Sequence, residues 1–249
     1  MKNIALLFVF FGSILLVAAF WVDNMEENLP EDIETRLNTT TESIRASNIG
    51  VQMRVVSEGL FDVDLFTVKG SGVVFKADDD YYYALTNCHV VNAYGEGTPH
   101  YSVSLPEHEA MFEAETVVMD AKTDLAVIRF AKNGLDIPLM DIHTRLNTTI
   151  EKDEPVLAVG DADTIEASVS RGQFTAMQHA DDLDEFVIRH SAQLHHGYSG
   201  GALTDIEGNL IGINTRGKTA GAPDGLAIPL NVIHAFLEDT QMKPTIVEP

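Results

Sequence analysis

The spacing of apolar residues along the chain separates a leader, a polar segment and a long β-rich region. From Asn3 to Val22 no residue is charged, and the run from Ile4 to Val22 is almost wholly apolar. Its core, Ile4 to Val17, has the length of a signal-peptide apolar region, and Val17-Ala18-Ala19 offers a small-residue cleavage site. The whole run is also just long enough to span a bilayer, with Trp21 placed for the far interface. Residues 1–22 are therefore expected to be a signal peptide or a membrane anchor, and both readings export the rest of the chain. Lys2 before the run and the acidic stretch after it suit an N-terminus on the inside. Residues 23–47 turn polar and acidic, with Pro30 and the run Thr39-Thr40-Thr41. Ile33, Leu37 and Ile44 give only a weak helical stripe, so this stretch reads as a tether.

From Ile49 the pattern changes to short runs rich in β-branched and aromatic residues: IGVQMRVV, GSGVVFK, YYYALTN, YSVSL, EAETVVMD and LAVIRF. A break at Ala131-Lys132-Asn133-Gly134 and the polar stretch Asp141 to Asp153 come next. A second series then runs EPVLAVG, EASVSRGQF, EFVIRHSA, GALTD, NLIGINT and GLAIP. The expected fold is all-β, with two tandem six-stranded antiparallel β-barrels at about 48–135 and 150–230 inside a domain covering 48–240. A terminal helix is expected at 231–240, opened by Asn231 as N-cap and carrying Val232, Ile233, Phe236 and Leu237 at helical spacing. Residues 241–249 form a tail.

Composition removes several classes of partner. The formal charge of −22, from 38 acidic against 16 basic residues, repels phosphate backbones and leaves no basic patch, so no nucleic-acid partner is expected. Cys88, the single cysteine, cannot form an intrachain disulfide, and packing must hold the domain together. No metal site and no cofactor is read from the sequence.

The stretch Gly197-Tyr198-Ser199-Gly200-Gly201 carries the candidate chemistry. Two glycines after a serine let the backbone turn sharply and leave the hydroxyl exposed. A serine nucleophile needs a base and a carboxylate that orients it. His89 in LTNCHVV and Asp124 in TDLAVIRF supply them, and the order His, Asp, Ser is that of chymotrypsin-type proteases. His89 is expected to take the Ser199 proton and return it to the leaving amine, while Asp124 holds the imidazole tautomer. The backbone N–H groups of Gly197 and Ser199 are the candidate oxyanion hole. Because the first two residues lie in one expected barrel and Ser199 in the other, the site is expected in the cleft between them.

The motifs GSGVVF, LTNCHVV, TDLAVIRF, GYSGGALTDIEGNLIGINT and GLAIPL resemble the protease domain of the HtrA/Deg family of trypsin-like serine endopeptidases, over roughly Ile49 to Asp239. The resemblance implies a double β-barrel, polypeptide substrates, extracytoplasmic quality control or processing of exported or misfolded proteins, and a homotrimer. It assigns the triad to His89, Asp124 and Ser199 and maps the primary specificity pocket to Ala192-Gln193-Leu194 and Ile213-Asn214-Thr215. Neither segment holds an acidic residue to pair a buried basic side chain, so a small or medium apolar residue is expected before the scissile bond. Two departures stand out. The chain ends soon after the expected terminal helix, leaving no room for the family's PDZ domain, and His195-His196 replaces the usual Asn-Pro before Gly197. Alternatives from the same residues are a secreted glutamyl endopeptidase and a non-proteolytic chaperone or binding module on the same fold.

Overall fold

The computed structural model describes residues 31–57, 63–93, 97–106, 108–160, 168–181, 183, 185–216 and 225–242. The apolar run from Ile4 to Val22 lies outside the described residues. Among the described residues, no helix is long and apolar enough to cross a membrane. The two barrels described below lie within one compact unit that begins at Thr40.

The stretch read as a tether contains a helix, α1, at Glu31–Ala46. Near its end, Ile44 is buried, and its carbonyl accepts bonds from Ser47 Oγ at 3.2 Å and Asn48 Nδ2 at 2.5 Å. These two side chains satisfy a terminal carbonyl that helix geometry leaves open. They also lead the chain directly into the first strand.

Among the described residues, twelve strands come after this helix, in the two series of six that the sequence pattern predicts. The first series is β1 (Asn48–Ser57), β2 (Val63–Ala77), β3 (Tyr81–Thr86), β4 (Thr98–Ser104), β5 (Phe112–Asp120) and β6 (Leu125–Ala131). The second is β7 (Pro155–Gly160), β8 (Ser168–Ala180), β9 (Glu185–His190), β10 (Ala202–Asp205), β11 (Leu210–Arg216) and β12 (Gly225–Pro229). Each series closes into an antiparallel barrel with equivalent strand order, β1-β2-β3-β6-β5-β4 and β7-β8-β9-β12-β11-β10. A single helical turn, α2 (Cys88–Val91), interrupts the first series after β3, and α3 (Leu230–Asp239) ends the fold.

The strands nearest the site are buried on both faces, and the alternation of side chains explains how. In β6, Ala126, Ile128 and Phe130 enter the core of the first barrel, while Leu125 and Val127 join an apolar cluster shared with the second barrel. In β7, Val156 and Ala158 fill the second barrel, and Leu157 and Val159 enter the shared cluster. Full burial of each such side chain is worth about 1.5–3 kcal/mol, so the shared cluster fixes the two barrels against each other. Helix α3 adds Val232, Ile233, Phe236 and Leu237 to it. The helix starts one residue before the expected position. Its N-cap is Pro229, with extended φ −75° and ψ 159° and no side-chain capping bond, which places Asn231 inside the first turn.

Candidate active site

His89 stands on α2, whose other residues, Cys88, Val90 and Val91, are buried. This one-sided burial leaves the imidazole 41% exposed at the edge of the first barrel. Asp124, immediately before β6, holds the turn in register from below. Its carbonyl accepts the Cys88 N–H at 3.1 Å and the Asn87 side-chain amide at 3.0 Å. Its carboxylate accepts the His89 backbone N–H at 3.0 Å and faces His89 Nδ1 at 2.9 and 3.0 Å from its two oxygens. Reaching both ends of this arrangement from one residue puts the Asp124 backbone at φ +54°, a left-handed conformation that costs a non-glycine residue about 1 kcal/mol. An imidazole with Nδ1 against a carboxylate carries its proton there, which leaves Nε2 as the basic nitrogen.

The second barrel contributes to the same carboxylate. Thr215, near the end of β11, donates its hydroxyl to Asp124 Oδ2 at 2.7 Å, and both residues are buried. The Thr215 carbonyl accepts the Ser199 hydroxyl at 2.9 Å. His89, Asp124, Thr215 and Ser199 are thus joined by hydrogen bonds through two barrels that meet at an apolar seam. Among the described residues, Ser199 Oγ bonds to the Thr215 carbonyl and not to the His89 ring.

The loop 197–201 is shaped by contacts that admit no side chain. A Cβ on Gly200 would overlap the Ser71 carbonyl oxygen and sit 2.5 Å from Thr86 Oγ1. Gly197 and Gly200 adopt φ +94° and +90°, where glycine carries no steric penalty. Tyr198 points inward, buried over Gly160, and burial raises its phenol above the ordinary value. The loop is closed by N–H donation from Tyr198 to His195, from Gly200 to Asn214 and from Gly201 to Tyr198. Among the described residues, the N–H groups of Gly197 and Ser199 donate to no protein acceptor.

The residues mapped to the specificity pocket divide. Gln193 is exposed, Leu194 is half-buried, and Ala192 is buried. The side chains of the three residues of β11 make contacts of their own. Ile213 lies in the shared core, Asn214 donates its amide to the carbonyls of Val159 at 3.2 Å and Ala202 at 2.9 Å, and Thr215 bonds to Asp124. His195 and His196 are exposed, with the His195 ring edge-on to Tyr198. No group of three or more potential metal ligands occurs among the described residues. Thr215 as a partner of Asp124 was not visible in the motifs, and neither were Asn87, Ser71 and Thr86 around the two loops. A polar residue at the end of an apolar strand, and a serine between two glycines, were the available signals.

Comparison with known proteins agrees with this arrangement. Residues 70–213 match the trypsin-like peptidase domain, a span that holds all three triad candidates and more than half the chain. The chain belongs to the trypsin-like peptidases. Within that family it is similar to a probable periplasmic serine endoprotease DegP-like of Buchnera aphidicola, 32% identical over 184 residues, covering 70% of this chain and 35% of that protein. The serine protease Do-like HtrB of Bacillus subtilis is 31% identical over 180 residues, 68% of this chain and 37% of the relative. The mitochondrial serine protease HTRA2 of Drosophila pseudoobscura is 31% identical over 176 residues, with coverage of 68% and 38%. This trypsin-like chain spans little more than a third of the length of these relatives.

Proposed function

We propose that the chain is a serine endopeptidase that hydrolyses peptide bonds through His89, Asp124 and Ser199. The observation that carries the reading is the bonded constellation of His89, Asp124, Thr215 and Ser199 beside the two unengaged N–H groups of Gly197 and Ser199. On this reading Ser199 turns from the Thr215 carbonyl toward His89 Nε2 when a peptide carbonyl approaches. His89 takes the proton as Oγ attacks, and the tetrahedral oxygen settles against the two N–H groups. His89 then protonates the leaving amine, and water releases the acyl group by the same route in reverse. Asp124 stabilises the imidazolium formed in both halves.

The substrates proposed are exported or misfolded polypeptides, and the location proposed is extracytoplasmic, held by the N-terminal run or free after its removal. The uncharged run from Asn3 to Val22 and the periplasmic name of the Buchnera relative support this. A homotrimer is proposed on the family resemblance. Gln193 and Leu194, with the segment Ile213-Asn214-Thr215, are the residues proposed to line the primary pocket. The test is turnover of casein and of a fluorogenic peptide library by the purified chain. The expected result is cleavage after small or medium apolar residues, lost in Ser199→Ala with an unchanged circular-dichroism spectrum. Cleavage retained at the wild-type rate in Ser199→Ala would sink the reading.

A further inference from the structure

The nucleophile loop belongs to the second barrel, yet it is fastened from the first by one residue. Ser71, fully buried on β2, donates its hydroxyl to the Gly197 carbonyl at 2.6 Å and its backbone N–H to the Ser199 carbonyl at 2.7 Å. Ser71 is itself pinned from behind, since its carbonyl accepts the Thr86 hydroxyl at 2.7 Å. Thr86 ends β3, the strand that leads into the turn carrying His89.

The Gly197 carbonyl belongs to the peptide plane joining residues 197 and 198, and the Ser199 carbonyl to the plane joining 199 and 200. The Ser199 N–H lies on the plane between them. Anchoring both flanking planes to one residue fixes the direction of that N–H and the position of Gly197, whose own N–H is the second proposed oxyanion donor. The loop needs such an anchor because Gly197 and Gly200 both carry positive φ, and glycine imposes little steric barrier on either side of the serine. The backbone bond to Ser199 survives any substitution at position 71 that keeps the strand. Of these two bonds to the loop, the one to the Gly197 carbonyl depends on the hydroxyl.

We infer that Ser71 is a positioning residue that holds the Gly197–Ser199 backbone with its N–H groups free for the oxyanion, making the transition-state site of the second barrel depend on the first. This rests on the proposed peptidase activity. The test is Ser71→Ala in the full chain, with kcat expressed per active site titrated by a fluorophosphonate, and with binding of a peptide boronate whose adduct places an oxygen in the hole. The expected result is a fall in kcat of about tenfold with KM within about twofold, matched by a similar loss of boronate affinity. A merely structural role would lower the titratable fraction and leave kcat per site unchanged.

Ser71→Cys, similar in size and a weaker donor, is the second arm and covers failure of the alanine variant to fold. Turnover below wild type in the thiol variant, and above Ser71→Ala where that folds, supports the inference. Full kcat per site in either variant overturns it while leaving the peptidase activity intact. A wild-type chain that neither cleaves nor labels would overturn both.

Discussion

Replacing Thr215 with valine isolates the bond that joins the two barrels at Asp124. The substitution keeps the shape and volume of the side chain and removes only its hydroxyl. Asp124 is 5% exposed, so water has little access to replace the lost donor. The carboxylate would retain the His89 backbone N–H and the Nδ1 contact, having lost the shortest of its bonds, the one at 2.7 Å. A hydrogen bond to a charged group contributes about 1.5–3 kcal/mol, and a buried acceptor left short of donors forfeits most of that. The expected loss of stability is about 2 kcal/mol, which is roughly a thirtyfold change in the folding equilibrium.

Part of the same loss should fall on catalysis, because a carboxylate freed on one side orients the imidazole less firmly. We expect kcat to fall about tenfold with KM within about twofold, and Thr215→Ser to recover most of both effects. Urea unfolding followed by fluorescence, with an unchanged slope, measures the first quantity, and peptide turnover measures the second. A valine variant within about 0.3 kcal/mol of wild type and with undiminished kcat would refute the assignment of Thr215 as a support of Asp124.

Two further outcomes stem from buried charge and from a buried thiol. Arg145 donates to Asp205 at 2.8 Å and to Glu154 at 2.7 Å, with the Asp205 side chain only 3% exposed. Arg145→Met should therefore destabilise the fold by about 3 kcal/mol in urea unfolding, because it leaves a buried carboxylate without its cation. An unchanged midpoint would show that the N–H donors of Glu207 and Asn209 are sufficient for Asp205. The Cys88 thiol is pushed up to about 11, first by burial and then by the carboxylates of Asp124 and Asp120. It should resist thiol reagents at pH 8 in the native protein and react once the chain is unfolded. Since the folded thiol keeps its proton above the ordinary value of 9.0, the stability that it contributes is complete below pH 9 and lost as pH rises toward about 11. Rapid labelling of the native protein at pH 8 would contradict the buried placement.

The strands were legible because burial on two faces leaves a plain mark on the sequence. YYYAL, LAVIRF and PVLAV are nearly continuous apolar runs, and each supplies one face to its own barrel and the other to the shared core. His89, Asp124 and Ser199 stood out as candidates because three spaced motifs had to coincide. The helix at Glu31–Ala46 was missed because its apolar stripe is weak and two of its closing bonds come from Ser47 and Asn48, a tertiary detail that periodicity does not carry. The partners of Asn214 and Thr215 were not legible, for a different reason. The pairing of β11 with β12 shifts register between Asn214 and Arg216, and a bulge there breaks the two-residue alternation by which facing is inferred. Thr215 bonds to Asp124, and Asn214 bonds to the carbonyls of Val159 and Ala202. Ser71 was not singled out in the sequence because the loop that it holds lies more than a hundred residues away.

The proposed chemistry depends most on Ser199 being an activated nucleophile. A fluorophosphonate probe incubated with the purified chain, followed by digestion and mass spectrometry, reports this without any assumption about substrate. The triad mechanism predicts a single adduct on Ser199, slowed by at least about a hundredfold in His89→Ala and absent in Ser199→Ala. A folded wild-type chain with no adduct on Ser199, or with equal labelling after removal of His89, would contradict it.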